Sequence, residues 1–370
     1  MGKNESLAVY YPQIDSIRAI AVLFVLFHHY FTQKVTGLVP LGEFGVDIFF
    51  TLSGFLITGI LISYRSIKSP GTAIKKFYFR RILRIFPVYY LYIFIAVLIF
   101  GREIPQKIIF WASIYGLNFY MINHGLITKY VFTHFWSLAV EEQFYLVWPF
   151  IILFLPFRYL KKIIVLAILI SIGFTYLNIN IQLISYHPVS CMQALATGGL
   201  VKYYSLYDAD KIMRFRKNLN LFLQLFISLW ICTLFIYDLG VKYAYPVLRI
   251  FASLSTAVVL IKIIFNLNGK RMNKFLNSGK LQFIGRISYG IYVYHILVLA
   301  LVSPIIQKLV INFTTESNPV RYNLYLIAMP LCTGISIFVA WLSFRVIESP
   351  INRLKNYKRD KKTEVLVPVR

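Results

Sequence analysis

The 370-residue chain is 58% hydrophobic and only 14% charged, with a mean hydropathy of +0.67, whereas a soluble domain of this length carries roughly 25% charged residues. That shortage of polar surface excludes a water-soluble globule, and apolar stretches recurring from end to end exclude a soluble domain on a single anchor. The net charge of +25 would suit a nucleic-acid binder only in a soluble chain; here it is a topology signal, because cytoplasmic loops collect Lys and Arg, and no nucleic-acid partner is expected.

The polar stretch Met1–Gln13 carries no cleavage signal after the first apolar run, so that run is expected to remain as a transmembrane helix. Spans of about 20 residues are expected near 14–33, 46–64, 86–101, 137–157, 163–180, 188–206, 219–238, 245–266, 284–303 and 323–345. An eleventh apolar piece, 107–122, is shorter and interrupted by Ser113, Gly116 and Asn118. If it does not cross, the basic clusters at 65–84, 158–162, 211–217 and 270–280 and the tail from Arg353 all fall on one side. If it did cross, the clusters after it would lie outside, against the charge bias. The expectation is therefore an all-α polytopic membrane helix bundle of ten transmembrane helices, with 107–122 as an extra re-entrant or interfacial helix. Both termini are expected to be cytoplasmic, with a membrane domain over 1–352 and a basic tail over 353–370. Cys191, Cys232 and Cys332 are far apart in apolar stretches, without a Cys-x-x-Cys or His–Cys cluster. They are expected to be buried packing residues, with no disulfide and no metal.

An ionisable group within a span costs about 3 kcal/mol on insertion scales and marks a candidate functional site. In the first span Arg18 and His29 are eleven residues apart, about three turns, so they share a face and are separated by roughly 16 Å along the axis. His28 lies about 100° round the helix. A snorkelling Arg and an interfacial His would be written the same way, and the shared face is what favours function. The second span carries Asp47 near its outer end, and Ser53-Gly54, which allows close helix contact. In the loop expected before the third span, Arg81 and Arg84 are spaced to share a helix face, and paired guanidiniums suit a phosphate through bidentate contacts; ordinary positive-inside charge is the bland alternative. The strongest anomaly is the segment from His134 through Trp136, Ser137, Glu141, Glu142, Gln143 and Tyr145 to Pro149, in which two adjacent carboxylates open an apolar span. Later, Ser288-Tyr289-Gly290-Ile291-Tyr292-Val293-Tyr294-His295 puts a His inside a span. Arg345 and Glu348 are spaced to pair, before the helix-ending Pro350.

Taken together, these motifs resemble the acyltransferase-3 family of membrane acyltransferases. The resemblance runs from about Tyr11 to Pro350 in one order: Asp-x-x-Arg with a His eleven residues after the Arg, Gly-Val-Asp-x-Phe-Phe with Ser-Gly-Phe-Leu-Ile-Thr, and Arg-x-x-Arg-Ile-x-Pro-x-Tyr-Tyr. Trp-Ser-Leu-x-Val-Glu-Glu-Gln-Phe-Tyr-x-x-Trp-Pro, Ile-Ser-Tyr-x-x-Tyr-x-x-His and Glu-x-Pro complete it. Gly290 stands where Ser is commoner in the family. The resemblance implies O-acyl transfer, chiefly of acetyl, from cytoplasmic acyl-CoA to a hydroxyl of a surface or lipid-linked polysaccharide at a bacterial plasma membrane. It also implies no permanently bound cofactor, and the chain looks like the stand-alone form of the family. On that reading His29 is the general base, with Glu142 and, less favoured, Glu141 as its catalytic partners. Arg18, Arg81 and Arg84 bind the donor phosphates. Asp47, Ser53, Trp136, Ser137, Tyr145, His295 and Glu348 line the acceptor site or support these groups. A transporter or flippase for a lipid-linked glycan, without acyl transfer, is the alternative.

Overall fold

A computed structural model describes residues 10–30, 40–67, 69–127, 131–311 and 320–353. All regular structure among the described residues is helical, the form in which a membrane span closes its backbone hydrogen bonds within one segment. In chain order the helices are α1 (Pro12–Tyr30), α2 (Leu41–Tyr64), α3 (Pro70–Phe100), α4 (Gln106–Ser113), α5 (Leu117–His124), α6 (Phe135–Phe154), α7 (Phe157–Leu177) and α8 (Pro188–Tyr207). They continue with α9 (Ala209–Arg214), α10 (Leu219–Asp238), α11 (Ala244–Ile264), α12 (Lys270–Leu276), α13 (Gly279–Arg286), α14 (Ser288–Ile311) and α15 (Val320–Ser343).

Among the described residues eight helices are long and apolar enough to cross a membrane: α2, α3, α6, α7, α10, α11, α14 and α15. The other two expected spans, α1 and α8, have 19 and 20 residues but carry too many polar side chains to join that group. Both are packed inside the protein, α1 against α2, α13, α14 and α15 and α8 against α2, α7 and α11. There a polar side chain meets protein instead of lipid, and its cost falls. The chain is thus an all-α polytopic bundle in which the least apolar helices are central.

Segment 107–122 forms two eight-residue helices, α4 and α5, each about 12 Å long and too short to span hydrocarbon. They break at Tyr115, whose φ of 54° is left-handed, and at Gly116, where a Cβ would lie 2.5 Å from the Trp111 ring. Three expectations need correction. The arginine stretch expected as a loop before the third span is helical: α3 starts at Pro70, with the Ser69 hydroxyl accepting from the Thr72 amide at its N-terminus. Pro350 does not end the last helix, which makes a π turn over Phe344–Glu348 and continues to 353. The wider turn rearranges the carbonyl register where a proline ring would otherwise clash four residues back. Cys232, expected to be buried, is exposed on α10, while Cys191 and Cys332 are buried. The basic tail beyond Arg353 lies outside the described residues.

The tightest helix contact is α2 on α8. A Cβ at Gly54 would stand 1.7 Å from the Leu195 carbonyl oxygen, and one at Gly198 would stand 1.8 Å from that of Thr51. Without side chains at these two positions the backbones touch, as small residues allow in lipid, where dispersion replaces the hydrophobic drive.

Candidate active site

A cavity of about 450 Å³ opens among α1, α2, α3, α6 and the start of α14, within the size range of small-molecule sites. Its lining carries Arg18, Arg81, Arg84, Lys202 and Arg286 together with Asp15, Glu141, Glu142 and Glu348, and the hydroxyls of Ser53, Ser137, Tyr145, Tyr289 and Tyr292; Arg84 and Arg286 are exposed, whereas Lys202 and Glu348 are buried. The helical phase of each element explains the gathering. Arg81 and Arg84, three apart on α3, turn inward together, while Arg80 turns to the Tyr64 hydroxyl at 3.0 Å. Arg81 lies over the Phe77 and Tyr145 rings at 5.8 and 5.4 Å, a cation–π arrangement that holds the guanidinium flat at the cavity wall.

The two adjacent carboxylates are held differently. Glu141 Oε1 accepts from the Tyr145 hydroxyl on its own helix and from the Ser53 hydroxyl, which ties α6 to α2. Glu142 faces Arg81 electrostatically and shares the cavity with Tyr289. Gln143 is turned away, exchanging amide bonds with Asn118 and donating to the Tyr115 carbonyl at 2.8 Å. Arg18 bonds Asp15 at 3.2 Å on its own helix, and the Tyr10 phenol donates to the same carboxylate. Partial burial, then the hydrogen bond and the charge of Asp15, push the Tyr10 phenol up, so it remains a neutral donor at the cavity mouth.

His29 and His295 are not among the lining residues. Their ring centroids are 4.8 Å apart in an edge-on arrangement, and His295 lies 4.9 Å from His134. Between these rings and the cavity stand Tyr292 and Ser137, whose hydroxyls are 2.5 Å apart. The Tyr292 ring touches both His134 and His295. His28 faces elsewhere, as its phase requires, with its ring packed over Gly42.

Two other expected site residues are structural neighbours of the cavity. Asp47 is fully buried, and both its oxygens are held by Arg249, from Nε at 3.0 and 3.1 Å and a terminal nitrogen at 2.6 Å. Trp136 stacks on Tyr186 with centroids 3.9 Å apart and planes 4° from parallel. The expected Arg345–Glu348 contact gives way to Arg345 over the Trp341 ring at 4.9 Å, while Glu348 is buried in the cavity wall beside Gly290. Reading the sequence did not single out Arg249, Lys202 or Arg286. A charge isolated in an apolar helix was the available signal for the first two. No cluster of three or more His, Cys, Asp or Glu suited to a metal occurs among the described residues.

This arrangement offers cations for an anionic group, carboxylates in the same cavity, and imidazoles beyond the Tyr292 and Ser137 hydroxyls. The chain is 29% identical to the peptidoglycan O-acetyltransferase OatA of Listeria monocytogenes serovar 1/2a over 93% of its own length and 56% of the relative's. It is 30% identical to the putative peptidoglycan O-acetyltransferase YrhL of Bacillus subtilis (92% and 55%) and 27% identical to the O-acetyltransferase OatA of Staphylococcus aureus (94% and 58%). It therefore spans a little over half the length of these relatives. No solved structure matches. Residues 11–345 match the family model described as an acyltransferase domain, and the chain belongs to the acyltransferase-3 family.

Proposed function

We propose that the chain is a membrane O-acetyltransferase that moves an acetyl group from cytoplasmic acyl-CoA to a hydroxyl of a cell-wall or other surface glycan. The observation that carries this reading is the single cavity that unites Arg18, Arg81 and Arg84 with Glu141 and Glu142. The donor's phosphates stay at the arginines, which make charge-assisted contacts with them, while its pantetheine arm enters ahead of them toward Tyr292 and Ser137. The rise of α1 from Arg18 to His29, roughly 16 Å, is about the reach of that arm. The names of the relatives, all O-acetyltransferases and two of them for peptidoglycan, favour acetyl as the group and a glycan as the acceptor.

In this reading His29 is the general base. Its Nδ1–H donates to the Val25 carbonyl at 2.9 Å, which leaves Nε2 as the lone pair that removes the proton from the acceptor hydroxyl. Glu142 opposes Arg81 and sets the charge at the thioester end, and Glu141 holds Ser53 and Tyr145 in place. The basic segments lie on the cytoplasmic side by the positive-inside rule, so the arginine mouth faces the donor pool and the acceptor approaches from the outer face.

The test supplies acetyl-labelled acetyl-CoA to one side of vesicles holding the protein and follows label into glycan on the other, alongside mass spectrometry of cell-surface glycans from strains with and without the gene. Label in glycan and a mass difference of one acetyl group are expected. Glycan crossing the vesicle membrane without acetyl-CoA and without label would replace this reading with that of a flippase.

A further inference from the structure

The three rings next to the cavity share one feature of their hydrogen bonding. His29 Nδ1 donates to the Val25 carbonyl at 2.9 Å, His295 Nδ1 to that of Tyr292 at 2.6 Å, and His134 Nε2 to that of Val293 at 3.0 Å. A carbonyl only accepts, so each ring carries its proton on the bonded nitrogen and presents a lone pair on the other. Among the described residues, His295 Nε2 and His134 Nδ1 are buried without a hydrogen-bond partner, in rings 0% and 2% exposed. The three rings, with centroids 4.8 Å (His29–His295) and 4.9 Å (His134–His295) apart, thus each keep one nitrogen as an acceptor. Adding one proton changes that, because a protonated ring can donate to its neighbour's lone pair in a charge-assisted bond.

We propose that His295 is a positioning residue for acyl transfer, its Nε2 lone pair receiving the Nε2–H of His29 once His29 has taken the acceptor's proton. The inference rests on the reading of His29 as base. The acceptor O–H bond breaks as its oxygen bonds to the acyl carbon, and the C–S bond breaks with its electron pair left on sulfur. The proton, held on His29 against His295, then passes to the thiolate. The two rings are packed in a T-shaped arrangement, with centroids 4.8 Å apart and planes at 67°. The second anchor of His295 is its own backbone carbonyl, which accepts from the Tyr30 hydroxyl at 3.0 Å, while Tyr30 is also 2.6 Å from Ser336.

The other titratable and polar groups around the pair are His28 and Tyr30 on α1, Tyr92 on α3, His134 before α6, Tyr292 and Tyr294 on α14, and Cys332 and Ser336 on α15. Glu43 and Glu141 act electrostatically on Tyr292. None of these neighbours is a lysine or an arginine, so the proton gained by His29 is a charge with no fixed cation beside it.

The test measures kcat, KM and the pH profile with labelled acetyl-CoA and a peptidoglycan disaccharide as probes, in protein carrying His295→Asn, His295→Gln, His295→Met or His29→Ala. Asn keeps a donor for the Tyr292 carbonyl but has no acceptor at the Nε2 position, whereas Gln reaches that position with its amide. Expected for Asn and Met is a fall in kcat of about 10- to 100-fold with unchanged KM. Without the acceptor the protonated base is less stabilised, so the acid limb moves down by about one pH unit, and Gln restores part of both. Wild-type kcat and pH profile in Asn or Met would overturn the inference, as would equal slowing of Asn and Gln with an unmoved acid limb. If neither Asn nor Met accumulates while Gln does, the role is structural and the inference fails. An active His29→Ala would remove the base reading, and this one with it. An inactive His29→Ala beside an unaffected His295→Asn would remove this one alone.

Discussion

Arg249 grips Asp47 across 202 residues of sequence, with three of its hydrogen bonds on one carboxylate and a further one, from its other terminal nitrogen, on the Ser185 carbonyl at 2.5 Å. The pair fastens α2 to α11 and to the turn before α8, and Val46, next to Asp47, lines the cavity. Both groups are almost fully buried, so removing either leaves the other as an uncompensated charge, at a cost of about 3–5 kcal/mol. Asp47→Asn and Arg249→Met are each expected to lower stability by that amount in thermal unfolding of detergent-solubilised protein. The double variant Asp47→Leu/Arg249→Met should recover much of the loss, because it removes both charges together. A double variant as unstable as the sum of the singles would mean that the pair does not act as a unit.

The helical architecture was legible because hydrophobic spans and charge placement are local properties. Arg18, Arg81, Arg84, Glu141 and Glu142 were each singled out by helical phase and motif company, but that all five line one cavity is visible only in the fold. Asp47 was legible as a buried acid, but its partner was not: nothing near it in sequence names Arg249, and only the packing of α2 on α11 brings the two together. The same limit applies to His134. Its ring is placed by the turn into α6 and bonds a carbonyl on α14, so its meeting with His295 is a tertiary fact. The arginine stretch misled because charge reads as loop, whereas α3 extends past the apolar run with its charged turns at the cavity mouth.

The contact of α2 with α8 gives a second prediction. Gly198→Ala places a methyl group 1.8 Å from the Thr51 carbonyl oxygen, and since the obstacle is backbone, a helix must move. Overpacking of this kind costs about 1–3 kcal/mol. Because Ser53 and Gly54 are on the displaced stretch, activity should fall more than stability. Gly173→Ala, where a Cβ meets nothing within 4 Å, is the control. Equal behaviour of the two variants in unfolding and transfer assays would count against a tight α2–α8 seam.

The cationic mouth should be read by the donor's phosphates and not by the acceptor. Arg84→Ala and Arg81→Ala are each expected to raise KM for acetyl-CoA roughly 10-fold or more, with a smaller effect on kcat, corresponding to the loss of one charge-assisted contact of about 1.5–3 kcal/mol. Arg81→Lys should rescue poorly, since an ammonium offers neither the planar fork nor the same stacking over Phe77 and Tyr145. KM rising with ionic strength in the wild type, and less steeply in the variants, would accompany this. Unchanged donor KM in both alanine variants would remove these arginines from the donor site.

Glu141 and Glu142 should separate in the same assay. Glu141→Gln keeps an oxygen that can accept from Ser53 and Tyr145, so its loss should be modest, whereas Glu141→Ala leaves two donors to find new partners and should cost stability as well. Glu142→Gln removes a charge opposite Arg81 without changing shape, and a fall in kcat of about 100-fold is expected if that charge acts at the thioester end. The reverse ranking, with Glu141→Gln the slower enzyme, would move the catalytic role to the hydrogen-bonded carboxylate.

The two adjacent histidines of α1 give the sharpest contrast. His29 meets His295 edge-on, and its Nδ1–H is committed to Val25, so only Nε2 is left for chemistry. His28 packs its ring on Gly42, where even a glycine Cβ would be 2.8 Å from it. His29→Ala should therefore abolish acetyl transfer, a loss of 100-fold or more for a missing general base, while the protein still accumulates in the membrane at wild-type level. His28→Ala opens a small space at the α1–α2 contact and should lower the unfolding temperature while retaining most of the transfer rate. Paired measurement of membrane abundance and labelled acetyl transfer decides the assignment. Loss of transfer in His28→Ala, with His29→Ala active, would mean that α1 presents its other face to the reaction.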